Sequence, residues 1–145
     1  MSTIKFMKLT NTAKTPFKST KYSAGYDLSA DINDNILIRP HTTVKIGTGL
    51  VIEPPKGYFA AIFARSGIAT KEGLRPANCV GVIDEDYRGE IIVALHNDSE
   101  ETRVIEPSQR IAQLVFLPYI DGEFEEVGSL TKTDRADGGF GSSGK

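Results

Sequence analysis

The sequence predicts an all-β domain, a sandwich or a barrel, and three observations predict it. The apolar runs are short, they are rich in β-branched and aromatic residues, and turn residues interrupt them at regular spacing. The run 36–38 stops at Arg39-Pro40. The run 44–52 continues to Pro54-Pro55-Lys56-Gly57, and 58–63 follows. A Ser66-Gly67 break then opens one short helix over 66–72. The run 80–83 leads into a charged segment, and 91–95 ends at Asn97-Asp98-Ser99. The last run, 111–117, follows Glu106-Pro107-Ser108 and closes before Asp121-Gly122. Unbroken runs such as Ile91-Ile92-Val93-Ala94-Leu95 predict strands buried on both faces. A chain of 145 residues has little room to cover both. A subunit interface is the expected second cover. Neither an internal repeat nor a second domain is visible.

That length suits one domain with a core that needs no disulfide staples. The 17 basic and 19 acidic residues nearly balance, which argues against a general nucleic-acid binder. The single cysteine, Cys79, excludes a disulfide framework and a cysteine-based metal cluster. It is expected to pack inside a strand as a small hydrophobe. Residues 1–10 lack the apolar core of a signal peptide. No apolar run approaches the roughly 20 residues that span a bilayer. A cytoplasmic protein without membrane partners is the expectation. His41 and His96 are single and far apart, and read as surface or strand-end residues. Glu100-Glu101 and the acids of 123–126 read as solvated turns.

The stretch Gly81-Val82-Ile83-Asp84-Glu85-Asp86-Tyr87-Arg88-Gly89-Glu90 carries the most chemistry. An acid follows directly on an apolar run, with an aromatic ring and a cation close behind. Burial and neighbouring charge tune an acid, so Asp84 at the lip of a core is a candidate general base. The same residues also make a plain charged turn between strands. The segment 135–145 (Arg-Ala-Asp-Gly-Gly-Phe-Gly-Ser-Ser-Gly-Lys) has the composition of a flexible tail. It also holds an arginine fork, two hydroxyls and a lone aromatic. Gly-rich backbone of this kind can wrap an anion, and Phe140 can lie on a flat base.

Five segments, in order, resemble the homotrimeric dUTP diphosphatases (dUTPases) over nearly the whole chain. They are Ala24-Gly25-Tyr26-Asp27-Leu28, Ala64-Arg65-Ser66-Gly67-Ile68-Ala69, the stretch 78–90, Arg110-Ile111-Ala112-Gln113-Leu114 and the tail from Arg135 to Gly144. Ala64 stands where the family often has proline. Ala136 and Ser143 stand where it usually has glycine and threonine.

The resemblance implies a distorted jelly-roll or β-clip-like barrel forming a homotrimer. Residues 1–134 would be the core, and 135–145 an arm closing over a neighbour's active site. The implied reaction converts dUTP and water to dUMP and pyrophosphate. Asp84 would activate the water that attacks the α-phosphorus. Arg65, Ser66, Gly67 and Gln113 would hold phosphates, and Arg135, Gly141, Ser142 and Ser143 would close over them. Asn78, Gly81, Val82 and Ile83 would read uracil. Tyr87 would pack against deoxyribose, with a core role as its alternative, and Phe140 would stack on the base. Mg²⁺ is the implied cofactor, held by phosphates with Asp27 assisting through water. Asp27 pairing with Arg65 as a strand-end acid is the other reading. Each site would draw on three chains.

Three rival functions have distinct signatures. A dCTP deaminase would need acid–base groups aimed at the base and would release ammonia. A regulator-binding protein of the phage type can carry an inserted module, whereas the span 117–134 here is short. A structural jelly roll would have no use for the five segments.

Overall fold

A computed structural model describes residues 3–138 of the chain. Eleven strands and one helix make up its regular structure among the described residues. In order they are β1 (Lys5–Lys8), β2 (Tyr26–Ser29), β3 (Ile36–Ile38), β4 (Thr43–Gly47), β5 (Leu50–Glu53) and β6 (Tyr58–Phe63). Helix α1 (Ser66–Glu72) follows. Then come β7 (Leu74–Pro76), β8 (Gly81–Ile83), β9 (Ile92–Asn97), β10 (Arg103–Ile105) and β11 (Arg110–Pro118). The predicted helix has the bounds expected of it. Gly73, at φ +70, ends it in a left-handed cap that glycine adopts without a Cβ clash.

Early strands pair with late strands in reverse order. β2 pairs with β11, β3 with β10 and β4 with β9, all antiparallel. This nesting is a jelly-roll pattern. The sheet that matters most runs β2-β11-β6-β8. Leu28, Ile38, Ile46, Leu50, Leu95 and Ile105, from six different strands, meet in the core with no exposed surface. Two buried polar side chains are fully engaged. Thr48 Oγ1 donates to the Ile91 carbonyl at 2.7 Å. Asn97 donates to the Ile38 and Glu101 carbonyls and accepts from Ser99. Unpaired, each would cost about 1–3 kcal/mol.

Two expectations need correction. The run 44–52 is two strands, because Gly49 at φ +64 turns the chain between β4 and β5. Cys79 is neither in a strand nor packed. It is exposed in the turn before β8, at φ +63. The run 91–95 has one face covered by its own chain, with Ile91, Val93 and Leu95 buried, and leaves the other open at Ile92, which is 46% exposed. Beyond Pro118, residues 119–138 form neither strand nor helix, and Ile120, Phe124 and Leu130 lie almost fully exposed.

Candidate active site

The site residues fall into two groups on one sheet. The first lies in a row across its strands, where Asp27 on β2 is level with Gln113 on β11, and Gln113 with Phe63 on β6. Arg65 and α1 follow directly on β6. An open cleft of about 610 Å³ lies here, lined in part by Ser23, Gly25, Asp27, Ala64, Cys79 and Gln113. The Asp27 carboxylate is mostly buried and bridges two cations. Arg65 Nε donates to one oxygen at 2.9 Å, and Arg110 Nη1 donates to the other at 3.0 Å. The pairing with Arg65 is thus the reading of Asp27 that the geometry displays. Gln113 Nε2 donates to the Ala64 carbonyl at 2.8 Å, which fixes the amide. Gly25 makes room for it, since a Cβ there would lie 2.5 Å from Gln113 Oε1. Ser66 and Gly67 are exposed at the start of α1, where backbone N–H groups lack intrahelical partners. A Cβ on Gly67 would meet nothing within 4 Å, so space stays open above it.

The second group is the β8 segment. β8 pairs with β6 through Ile62↔Gly81 and Ala60↔Ile83. Gly81 is packed tightly, with an added Cβ only 3.1 Å from Ile62 Cβ. Val82 points outward, 59% exposed. Asn78 is exposed in the loop before β8. Arg75 braces that loop. Its fork pairs with Asp98 at 2.7 and 3.0 Å, while Nη1 donates to the Pro76 and Ala77 carbonyls, each at 3.2 Å. Asp84 follows β8 and opens a turn, its carbonyl accepting from the Tyr87 N–H at 3.1 Å. Tyr87 is 41% exposed, so it is no core residue. Its hydroxyl donates to the Glu90 carbonyl at 3.0 Å, and its ring lies against Gly89.

Asp84 borders a second cleft, of about 540 Å³, with Phe59, Val82, Glu85, Asp86 and Tyr119. It is exposed, so the burial expected to tune it does not come from its own chain. Nor does its own chain bring it to the first group. Ile83 pairs with Ala60, three residues from Phe63 along β6, and Asp84 lies farther still. That is a separation of about 10 Å or more. At the other end, Arg135 is exposed and its Nε donates to the Gly138 carbonyl at 2.8 Å. Ala136 takes φ +45, a value that suits glycine better. Phe140, Gly141, Ser142 and Ser143 lie outside the described residues.

Sequence reasoning missed three contributors. Arg110 was part of a matched segment but had no role until Asp27 was seen between two guanidinium groups. Arg75 and Glu85 carry no local signal, since their partners are brought up by folding.

The dUTPase family model matches residues 11–144. The chain belongs to the dUTPase family. A deoxyuridine 5'-triphosphate nucleotidohydrolase of Desulfitobacterium hafniense is 49% identical over 142 residues, covering 97% of this chain and 94% of the relative. One from Hydrogenobaculum sp. is 46% identical, covering 94% of each chain. A dUTPase of Staphylococcus bacteriophage 80alpha, solved with dUpNHpp, superimposes with a TM-score of 0.86 at 25% identity over the full length of both chains. The chain is therefore a nucleotide hydrolase of the dUTPase type, all-β with one short helix. A point mutant of a phage phi11 dUTPase, at 22% identity, shares the fold with a TM-score of 0.82, and that protein coordinates a structural Mg(II) ion.

The donor set of this chain limits how an ion could be held. Both Asp27 oxygens already accept from arginines, which leaves their remaining lone pairs for a bridging water. Among the described residues there is no group of three or more His, Cys, Asp or Glu side chains placed to hold an ion. An acid already engaged by two arginines fits contact with an ion through water better than direct ligation.

Proposed function

We infer that the chain hydrolyses dUTP to dUMP and pyrophosphate, with Asp84 orienting and deprotonating the water that attacks the α-phosphorus. The observation that carries this reading is the split site. One chain presents a phosphate-side group around Arg65, Ser66, Gly67 and Gln113, and a separate base-and-water group from Asn78 to Tyr87. Neither reaches the other within one subunit. A homotrimer, in which the β8 segment of one chain faces the Arg65 group of another, brings them to one substrate. The exposed Ile92, Ile120, Phe124 and Leu130 support such an assembly.

In that arrangement the Arg65 guanidinium and the Gln113 amide bind phosphate oxygens. The Asn78 loop and the β8 backbone present a hydrogen-bond pattern to uracil. A site built for uracil leaves its own polar groups unpaired against cytosine, a discrimination on the order of 10⁴. The outward Val82 and the neighbouring wall leave no room for thymine's methyl. The Tyr87 ring, held by the Glu90 carbonyl, packs against the sugar and rejects a 2′-hydroxyl. The arm from Arg135, with Gly141, Ser142, Ser143 and Phe140, closes over the nucleotide and excludes water. Mg²⁺, when bound with the nucleotide, supplies charge neutralisation at the phosphate chain. The product dUMP is a thymidylate precursor, and removal of dUTP limits uracil incorporation into DNA.

The test is pyrophosphate release from dUTP, dCTP, dTTP and UTP, with and without Mg²⁺. Strong Mg²⁺-dependent release from dUTP alone is expected. Ammonia release from dCTP, or equal turnover of all four, would overturn the reading.

A further inference from the structure

Asp84 lies between a well-anchored strand and a turn. The strand side is held by the β6 ladder. On the other side, Arg88 Nη1 donates to the Glu85 and Tyr87 carbonyls at 2.7 and 2.9 Å, which tightens the turn on itself. Those bonds are internal to the turn and do not fix it against the rest of the molecule. Glu85 does. Its Oε2 accepts from the Gly57 N–H at 2.6 Å and from the Tyr119 hydroxyl at 2.8 Å. The Gly57 carbonyl in turn accepts from the Tyr119 N–H at 3.2 Å. Three segments distant in sequence thus close a hydrogen-bonded triangle. They are the turn after β8, the turn before β6 and the first residue beyond β11. Gly57 sits at φ +79, a left-handed value that aims its N–H at the carboxylate at little conformational cost. Asp86, next in sequence, is exposed and makes no side-chain hydrogen bond among the described residues.

We propose that Glu85 is a positioning residue for Asp84, locking the catalytic turn to Gly57 and to Tyr119 at the root of the C-terminal segment. This rests on the role of Asp84 inferred above. A base must sit within hydrogen-bond reach of the attacking water, and a displacement of about 1 Å can cost 10²-fold in rate. A single carboxylate oxygen serves both donors, so replacing Glu85 releases the turn from both anchors at once. Tyr119 is also the first residue of the irregular segment 119–138 that follows β11.

The experiment uses the full-length protein and the variants Glu85→Ala, Glu85→Gln and Tyr119→Phe. Amide hydrogen exchange at Tyr87 and Gly57 reads the clamp without reference to turnover. Exchange at least about tenfold faster in Glu85→Ala is expected, with the rest of the molecule unchanged. In the dUTP assay, kcat should fall at least about tenfold with KM within about threefold. Glu85→Gln keeps an oxygen for both donors and should recover part of the rate. Tyr119→Phe, which removes one anchor, should fall between wild type and Glu85→Ala. Unchanged exchange in Glu85→Ala would refute the clamp. Faster exchange with wild-type kcat would refute its role in positioning Asp84. If the wild-type protein itself releases no pyrophosphate from dUTP, the functional reading fails, and exchange alone decides whether the clamp exists.

Discussion

Asp84 could be picked out from sequence because an apolar run points straight at it. Its exposure in a single chain changes what the residue needs. On the proposed reading, the surroundings that make it a base arrive with substrate and neighbouring subunits. Asp84→Asn should leave nucleotide binding intact and lower kcat by about 10²- to 10⁴-fold. Binding of a non-hydrolysable dUTP analogue together with pyrophosphate release checks both halves. Tyr87 makes a different prediction, because its ring is half exposed and anchored through Glu90. Tyr87→Ala should melt close to wild type yet narrow the gap between dUTP and UTP in kcat/KM. A large fall in melting temperature with selectivity unchanged would return Tyr87 to a purely structural role. The pairing of Asp27 with Arg65 was one of two readings open in the sequence, but its bridge to Arg110 was not legible. The second arginine comes from β11, and only strand register brings it alongside.

At the scale of elements, the helix and seven of the eleven described strands were visible in local pattern, while β1, β2, β7 and β10 lie outside the apolar runs. Gly49 sits inside an apolar run and looks like a minor interruption. In the fold it turns the chain at φ +64, where an added Cβ would lie 2.3 Å from Asp31 Oδ2 and 2.8 Å from Ala13 Cβ. Gly49→Ala should destabilise by about 1–3 kcal/mol, measured by denaturant unfolding. Cys79 sat next to an apolar run and read as packed, but the Arg75 brace holds its loop outward. Glu85 predicts a pH dependence. Its carboxyl is held below the ordinary glutamate range, first by the Gly57 N–H and then by the Tyr119 hydroxyl. Its share of stability is therefore present above the unfolded pKa and is lost as pH falls through the lower folded value. The melting temperatures of wild type and Glu85→Gln should differ near neutral pH and converge only as pH falls through the lowered folded value, where the Glu85 carboxyl becomes neutral in the native state too.

At the scale of the whole molecule, one chain is an incomplete enzyme on the reading proposed here. Light scattering at micromolar concentration should give three times the chain mass. A chain ending at Asp137 should fold and assemble normally but turn over slowly, because it lacks Phe140, Ser142 and Ser143. Full activity of that truncation would remove the arm from the mechanism.

The sequence by itself determined the all-β class, the short helix and the family, and it singled out Asp84 as the acid to test. Those follow from short-range features: short apolar runs, turn residues and contiguous motifs. Only the tertiary structure decided which groups stand together. It set the row from Asp27 through Gln113 to Phe63, the distance between Arg65 and Asp84, and the triangle of Glu85, Gly57 and Tyr119. Glu85 meets Tyr119 across 34 residues of sequence and Gly57 across 28. Pairings at that range are selected by which faces of nested strands can be buried together, and no local stretch of sequence carries that information.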